Sequence, residues 1–285
     1  MIETTEKNAS LPPIAGLADK QQKLRNLMRG MERVLVAYSG GVDSTYLAAV
    51  ATEELGDAAI SVIGLSPSVS KFQREQALAI ASDRELNLRT IETHEVEDEN
   101  YASNPANRCF FCKDELYTRL RSEAETLGTD LILDGTNADD LLDHRPGRIA
   151  AEQHGVISPL ADLGFTKDDI RESSRQMGLP TWDRPASPCL SSRIAPGVPV
   201  TIERLGKVER GEAFLRRKGF TDFRVRVHDD LARIEISASE MSRMFDGGLI
   251  DEVNKEFSAL GFRYITLDLQ GFRSGSTSAA AVGGK

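Results

Sequence analysis

The chain has 285 residues, 40% of them hydrophobic and 28% charged, which suits one large or two modest globular domains and excludes a disordered chain. Its net charge of −9 argues against a broad basic surface for tRNA or DNA, and three cysteines are too few for a disulfide scaffold. Without a signal peptide or an apolar run near the roughly 20 residues of a membrane span, the sequence predicts a cytoplasmic protein that does not enter membranes.

The first part of the chain alternates strands with helices, between a polar lead-in over 1–18 and a tail of small residues over 273–285, and both ends are expected to be flexible. Apolar, β-branched runs predict buried strands, and helical periodicity with capping pairs predicts helices. The strands are predicted at 33–38, 59–65, 88–93 and 130–134, with a fifth at 156–159. The helices are predicted at 45–55, 70–85 (capped by Ser70 and Gln73) and 112–127, and a fourth is capped by Thr166 and Asp169.

The pattern changes after residue 179. Five prolines in 180–199 exclude a regular element and predict a long loop, which in a compact protein is usually functional or a linker. Beyond it we predict a helix at 201–217, strands at 223–227 and 232–236, a helix at 239–260 and a strand at 264–269. The sequence therefore predicts an α/β protein, with a doubly wound parallel sheet over 19–195 and a small α+β domain over 196–272.

A glycine-rich hexapeptide between the first strand and its helix is the strongest functional signal. Two glycines allow a phosphate to approach the backbone, two serines add hydroxyl donors, and the helix that follows presents free N–H groups. An aspartate within the loop suits a bound Mg²⁺. A tight Gly-Gly turn with a serine cap is the structural alternative, and the complete hexapeptide in this context favours the phosphate site. The predicted ATP-binding residues of this loop are Ser39, Gly40, Gly41, Val42, Asp43 and Ser44.

Two further segments follow predicted strands at the same edge of the sheet, where open α/β sheets bind ligands. Gly135, Thr136 and Asp139 lie in an acidic, small-residue turn after the fourth strand, and an ordinary Asp/Asn/Gly loop is an equally good interpretation of that turn. Ser66 follows the second strand. We assign all four residues to the ATP site as predictions.

The three cysteines are Cys109 and Cys112, in a C-x-x-C pair, and Cys189, in the proline-rich loop with Arg193 four positions further on. Three thiolates fall short of the four ligands of a structural zinc site, and the context of the pair is not thioredoxin-like. Three thiolates are also a ligand set for three irons of a [4Fe–4S] cluster, with the fourth iron open. Small buried hydrophobic residues are the structural alternative for all three.

The hexapeptide lacks the Gly-Lys-Ser/Thr ending of a Walker loop, and it resembles the PP-loop of the N-type ATP pyrophosphatases. From about residue 20 to 272 the chain also resembles the LarE family, whose motifs occur here in the same order. That resemblance implies an ATP- and Mg²⁺-dependent sulfurtransferase acting on pyridinium-3,5-biscarboxylic acid mononucleotide. Adenylation of a carboxylate, with release of pyrophosphate, would precede formation of a thiocarboxylate for the nickel-pincer nucleotide cofactor of lactate racemase and related enzymes. The motifs are SGGVDS, NRCFFCK, DGTNADD, Arg145-Pro146-Gly147, Ser158-Pro159-Leu160 and PCLSSR.

The family uses two sulfur sources. In one subgroup a single cysteine at the position of Cys189 gives up its sulfur and becomes dehydroalanine. In the other, three cysteines hold a [4Fe–4S] cluster that delivers a bound sulfide repeatedly, and the presence of Cys109 and Cys112 resembles this second subgroup. We take Cys189, Asp43, Ser192 and Arg193 as the candidate catalytic residues.

An anionic substrate requires cations in this acidic protein. Arg193 is one candidate, and Arg224 and Arg226 alternate along a predicted strand, so their side chains point the same way. A solvated strand face is the structural alternative for the pair. The family resemblance implies that the paired arginines line the substrate site, with acidic residues nearby at positions matching Glu212 and Glu235.

Other functions remain open at this point. A PP-loop tRNA thiolase also pairs this loop with cysteines, but the net charge disfavours tRNA binding. Another PP-loop AMP-forming synthetase has no need of Cys189, and a nucleotide-binding or iron–sulfur storage protein would bind ATP without releasing pyrophosphate. The predicted partners are the small-molecule substrate and an unidentified sulfide donor, with no nucleic acid and no membrane; the resemblance implies a homo-oligomer, a hexamer in the family.

Overall fold

The computed structural model of the protein describes residues 16–142 and 146–273. Most of the predicted lead-in, Arg145 of the Arg145-Pro146-Gly147 motif, and all but the first residue of the predicted tail lie outside the described residues.

A parallel sheet of four strands forms the larger half of the molecule, in the order β3-β2-β1-β4. A fifth segment joins it through one parallel bridge between Leu133 and Ile157, so the strand predicted at 156–159 is reduced to that contact. The predicted α/β class with a parallel sheet is confirmed. The strands are β1 (Val34–Ala37), β2 (Ala59–Leu65), β3 (Asn87–Glu92) and β4 (Ile132–Leu133).

Helices cover both faces of this sheet because alternate side chains of the strands point in opposite directions. Val34 and Val36 face one core, and Leu35 faces the other. The helices are α1 (Leu17–Arg29), α2 (Val42–Leu55), α3 (Lys71–Asp83), α4 (Glu99–Ala102), α5 (Arg108–Leu127), α6 (Pro146–Gln153), α7 (Pro159–Asp162) and α8 (Lys167–Gln176), with short 3₁₀ segments at Gly56–Ala58, Glu95–Glu97, Asp139–Leu141 and Leu190–Arg193.

Both predicted capping pairs are confirmed as reciprocal capping boxes, Ser70 with Gln73 at the start of α3 and Thr166 with Asp169 at the start of α8. Each box satisfies backbone groups that a helix start leaves unpaired, which fixes where the helix begins. Helix α5 begins at Arg108, four residues before the predicted start, so Cys109 and Cys112 both lie in its first turns. Helix α1 was not predicted.

A second, three-stranded sheet has the order β5-β6-β7, with β5 antiparallel to β6 and β6 parallel to β7. Its core also takes Tyr101 and Leu190, which precede residue 195, so the two units share buried contacts. The boundary at 195/196 stays a prediction. The elements are α9 (Ile202–Arg217), β5 (Phe223–His228), β6 (Leu231–Ile236), α10 (Leu249–Ala259) and β7 (Tyr264–Leu267), with a 3₁₀ segment at Met241–Phe245.

The single helix predicted at 239–260 is wrong. Gly247 and Gly248 have φ of +56° and +79°, a left-handed conformation that ends the 3₁₀ segment before α10 begins. None of the helices in the two described ranges is long and apolar enough to cross a membrane.

Candidate active site

The glycine-rich loop lies between β1 and α2, as the sequence predicts. Gly40 has φ of +73°, and a Cβ added there would lie 2.5 Å from the Ala77 Cβ, so only glycine fits. The Ser39 and Ser44 hydroxyl oxygens are 3.0 Å apart, and the backbone N–H of Ser39 donates to Ser44 Oγ. Among the described residues no side chain caps the start of α2 at Gly41, which leaves its first N–H groups open to an anion.

A cavity of about 550 Å³ opens in front of this loop, between α2, α5 and the segments after β4. Among the predicted ATP-binding residues, six line it: Ser39, Gly41, Asp43, Ser44, Gly135 and Thr136. Four others, namely Gly40, Val42, Ser66 and Asp139, are not among the lining residues. Ser66 donates to the Glu95 carboxylate and contacts Ser68 Oγ, and Asp139 accepts the backbone N–H of Lys167 at 2.7 Å.

The turn after β4 packs directly on the start of α2. A Cβ on Gly135 would lie 2.8 Å from the Ser44 nitrogen, so the absence of a side chain allows this contact. The neighbouring Asp134 accepts hydrogen bonds from Tyr117 Oη (2.8 Å), Thr136 Oγ1 (2.9 Å) and Ser158 Oγ (2.7 Å). These bonds fix the floor of the cavity against the sheet.

Asp43 carries two signs of a cation site. Its Oδ2 accepts from Lys167 Nζ at 2.6 Å, while its Oδ1 is buried without a hydrogen-bond partner among the described residues. Burial raises the pKa of Asp43, Lys167 partly offsets that rise, and the charge of Asp140 adds to it. A buried carboxylate oxygen with no donor, beside a second carboxylate, is a setting that a divalent cation would complete.

These residues fit Mg²⁺, which proteins commonly hold through one or two carboxylates together with substrate phosphates. Within residues 16–142 and 146–273, no three His, Cys, Asp or Glu side chains are placed to hold one metal ion.

One face of α5 forms the wall opposite the glycine-rich loop. Cys109, Lys113, Leu116 and Tyr117, at positions i, i+4, i+7 and i+8, all line the cavity. Burial alone would lower the pKa of Lys113, but the neighbouring Tyr117 hydroxyl and Asp134 carboxylate raise it to about 12, so its ammonium is charged. Lys113 and Lys167 are site residues that sequence reasoning missed. For Lys113, the four-residue spacing from Cys109 was the available signal.

Of the three cysteines, Cys109 is exposed and the other two are partly buried. Burial raises the pKa of Cys112 to about 12, and the negative charges of Glu95, Cys189 and Cys109 contribute. Cys112 therefore lies within electrostatic range of both other cysteines. A [4Fe–4S] cluster spreads its thiolate ligands over separate irons, so this donor set fits a cluster better than a single ion.

The loop that carries Cys189 is held from several sides. The backbone N–H of Leu190 donates to the Ser68 carbonyl at 2.7 Å, and Tyr101 Oη lies 2.6 Å from Ser191 Oγ. Asn104, at a φ of +58°, donates its amide to the carbonyls of Ala195 (2.8 Å) and Val198 (2.9 Å). No sequence signal indicated the roles of Tyr101 and Asn104, because their partners lie about 90 residues away.

Two buried ion pairs bring the predicted arginines and glutamates to this loop. Arg193 Nε lies 2.9 Å from Glu212 Oε1, with side chains only 4% and 7% exposed. The same guanidinium donates to the carbonyls of Pro188 (2.6 Å) and Cys189 (3.1 Å), and to Ser192 Oγ (3.0 Å). Within the loop, its partners are thus backbone carbonyls and the Ser192 hydroxyl.

Arg226 forms the second pair, with its Nε 3.1 Å from Glu235 Oε1, and its Nη1 donates to the Ser192 carbonyl at 2.9 Å. Arg224 lies on the same face of β5, as predicted, and its guanidinium stacks on the Phe272 ring at 4.7 Å. The five residues predicted to bind substrate therefore gather around the Cys189 loop. Their roles stay predictions.

No family model matches the chain. An uncharacterised protein of Synechocystis sp. is 43% identical over 91% of this chain and 97% of its own length. The pyridinium-3,5-bisthiocarboxylic acid mononucleotide synthase of Lactiplantibacillus plantarum is 34% identical over 92% of this chain and 95% of its own length. One of the subunits of a glutamine-hydrolysing GMP synthase from Methanoculleus marisnigri is 27% identical over 68% of this chain and 67% of its own. The first two similarities extend over nearly the whole chain.

Proposed function

The chain belongs to the family of the pyridinium-3,5-bisthiocarboxylic acid mononucleotide synthases, and on that premise we propose the reaction and the residues that perform it. The protein is an ATP-dependent sulfurtransferase that makes a thiocarboxylate on a pyridinium mononucleotide. Its substrate is pyridinium-3,5-biscarboxylic acid mononucleotide, and its product is a precursor of the nickel-pincer nucleotide. The reaction has an adenylation step and a sulfur-transfer step.

In the adenylation step, ATP occupies the cavity between the glycine-rich loop and Lys113. The open N–H groups of α2 and the Lys113 ammonium hold phosphate oxygens. Asp43, with Asp140 nearby, would hold Mg²⁺, and the ion would neutralise charge on the leaving pyrophosphate. A carboxylate oxygen of the substrate attacks the α-phosphorus, the bond to the β-phosphate oxygen breaks, and pyrophosphate leaves. The acyl-adenylate is an electrophile with AMP as a good leaving group.

In the sulfur-transfer step, a sulfur nucleophile attacks the acyl carbon and AMP leaves with the bonding electrons. If Cys189 is the source, its Sγ forms a thioester. A base then removes the Cα proton and the Cβ–Sγ bond breaks, which yields the thiocarboxylate and dehydroalanine. A [4Fe–4S] cluster held by Cys109, Cys112 and Cys189 would instead supply a sulfide bound at its fourth iron. We favour the cluster because all three cysteines are present, and because Cys112 lies within electrostatic range of both Cys109 and Cys189.

The observation that carries the proposal is the placement of the first turns of α5. Cys109 lies in the wall of the cavity in front of the glycine-rich loop, and Cys112 lies in the electrostatic field of Cys189. Helix α5 therefore contributes both to the proposed ATP site and to the group of thiols. A nucleotide-binding protein without sulfur chemistry has no use for that arrangement.

The test is the intact mass of anaerobically purified protein before and after reaction with ATP, Mg²⁺ and the mononucleotide, with the product assayed alongside. Product with an unchanged polypeptide mass supports a bound sulfide. Product with loss of one H₂S from the protein supports consumption of Cys189. A Cys189→Ala variant should retain pyrophosphate release but make no thiocarboxylate. An unchanged yield of thiocarboxylate from that variant would contradict both versions.

A further inference from the structure

Two arginines beside the Cys189 loop differ from Arg193 and Arg226 in their partners. Arg216, on α9, and Arg224, on β5, have no carboxylate oxygen within ion-pair distance in the parts of the chain that the structure describes. Both are half-buried, and both lie in the electrostatic field of Arg193 and Glu212. They belong to the same charged cluster, yet their positive charge is not matched by a direct ion pair.

The guanidinium of each of these arginines lies over an aromatic ring. The guanidinium of Arg216 lies 4.0 Å from the Phe72 ring centroid, and that of Arg224 lies 4.7 Å from the centroid of Phe272. A guanidinium that stacks by its face keeps N–H donors at its edge available to a ligand, and the ring restricts its rotamers before binding. Arg224 uses one donor on the Phe223 carbonyl, at 2.7 Å.

The cluster has an excess of positive charge. Glu212 balances Arg193, and Glu235 with Asp268 balances Arg226 and Arg233. Arg216 and Arg224 add two further positive charges. Burial lowers the pKa of both unbalanced arginines, and the nearby Arg193 lowers it further, although a guanidinium stays charged at neutral pH. A half-buried cationic excess is costly without an anion, so the cluster is suited to bind one.

We propose that Arg216 and Arg224 bind an anionic group of the substrate, whereas Arg193 and Arg226 are positioning residues that fix the Cys189 loop. This inference rests on the proposed function, and it divides among the arginines a role that the family resemblance gives to Arg193, Arg224 and Arg226 together. The anionic group is the phosphate or the carboxylate that does not react. The guanidinium groups of Arg193 and Arg226 already donate hydrogen bonds to the carbonyls of Pro188, Cys189 and Ser192.

Binding of the mononucleotide, measured by calorimetry in the presence of α,β-methylene-ATP, tests this division without turnover. Arg216→Gln and Arg224→Gln should each weaken binding about tenfold or more, since each removes a charge-assisted hydrogen bond. Arg217→Gln is the matched control: Arg217 is adjacent on α9 and lies near the Phe214 ring, but it is 66% exposed and faces Glu256. Its binding should equal that of the wild type.

The dephosphorylated nucleoside separates the two anionic groups. If the arginines hold the phosphate, the variants lose affinity for the mononucleotide but not for the nucleoside. A loss with both ligands assigns them to the carboxylate. Unchanged binding by both variants overturns the inference, and a wild type that does not bind the mononucleotide overturns the proposed function and the inference with it.

The alkylation rate of Cys189, followed by peptide mass spectrometry, reports the state of the loop. Arg193→Lys should accelerate it, because lysine cannot reproduce the fork that spans Glu212 and the loop carbonyls. Arg216→Gln and Arg224→Gln should leave it unchanged. An acceleration by either of these two variants would make that arginine a positioning residue and contradict the division.

Discussion

Lys167 and Asp43 are 124 residues apart in the chain, and the Lys167 Nζ lies 2.6 Å from Oδ2 of Asp43, which lines the cavity. The other oxygen of Asp43 is buried and has no hydrogen-bond partner in the described part of the chain. The pair joins the start of α2 to the start of α8. It gives the nucleotide cavity one anionic and one cationic group, which suit a metal ion and a departing phosphate.

Replacement of either member of this pair should impair pyrophosphate release. We expect Asp43→Asn to lower the rate by about 100-fold or more, because it removes the charge that would hold Mg²⁺. Lys167→Met should lower it by about tenfold or more, through loss of one charge-assisted contact. A coupled pyrophosphate assay measures both. Lys23→Met, in an exposed ion pair with Asp19, is the control and should behave as the wild type.

Gly40→Ala should disrupt the glycine-rich loop. The new Cβ would meet Ala77 at 2.5 Å, and the backbone would be held at a φ of +73°. We expect the free energy of unfolding to fall by about 1–3 kcal/mol and ATP binding to be lost. Adding Ala77→Gly removes the 2.5 Å contact but leaves the Ala77 Cα at 2.9 Å and the backbone strain, so the double variant should recover part of the stability. Full recovery would show that the φ constraint is unimportant.

The capping box of α8 predicts a pH dependence of stability. Burial alone would raise the pKa of Asp169, but hydrogen bonds from Lys20 and Thr166 lower it below its ordinary value of 3.8. The ionised carboxylate therefore stabilises the fold above that value, and the contribution is lost as pH falls through the lower, folded pKa.

Asp169→Asn should reduce the free energy of unfolding by about 1–3 kcal/mol at pH 7. The difference from the wild type should begin to shrink below about pH 4, where Asp169 of the unfolded chain takes up a proton, and should be lost below the lower, folded pKa. Urea unfolding at a series of pH values checks this. A difference in the free energy of unfolding that stays constant down to about pH 2, well below the ordinary pKa of an aspartate, would contradict this. It would mean that the asparagine amide, and not the loss of charge, destabilises the variant.

In protein free of any cluster, the two cysteines of α5 should react at different rates. Cys109 is exposed, whereas burial raises the pKa of Cys112 to about 12 and leaves almost no thiolate at about pH 8. Iodoacetamide should therefore modify Cys109 first, and ATP should slow that reaction because Cys109 lines the cavity. Peptide mapping follows each site, and denatured protein, in which both react alike, is the reference.

Local signals in the sequence were sufficient for much of the fold. The bounds of β2 agree with the prediction, and both capping boxes begin helices where expected, because a strand of β-branched residues and a capping pair are determined by neighbours in the chain. The start of α5 was missed because its N-cap, Asn107, makes no side-chain capping bond. The break before α10 was missed because Gly247 and Gly248 lie within an otherwise helical pattern.

The site was predicted less completely, for a physical reason. Motifs located the glycine-rich loop and Cys189, since each is contiguous. The partners of those motifs are not contiguous: Lys167 reaches Asp43 from another helix, and Asn104 holds the Cys189 loop from a turn about 90 residues away. Such pairings depend on how the elements pack, and a single sequence does not carry that information.

The alternation of apolar and charged side chains along β5 has a consequence for how the strand pairs. Val225 and Val227 face the core, while Arg224 and Arg226 face the charged cluster, and Val227 is also bridged to Ile194. A slip of one residue would exchange the two sets and push two guanidinium groups into an apolar interior, at a cost of several kcal/mol. A one-residue shift in the pairing of β5 with β6 is therefore disfavoured. The bonds that hold the Cys189 loop form only when the register is correct.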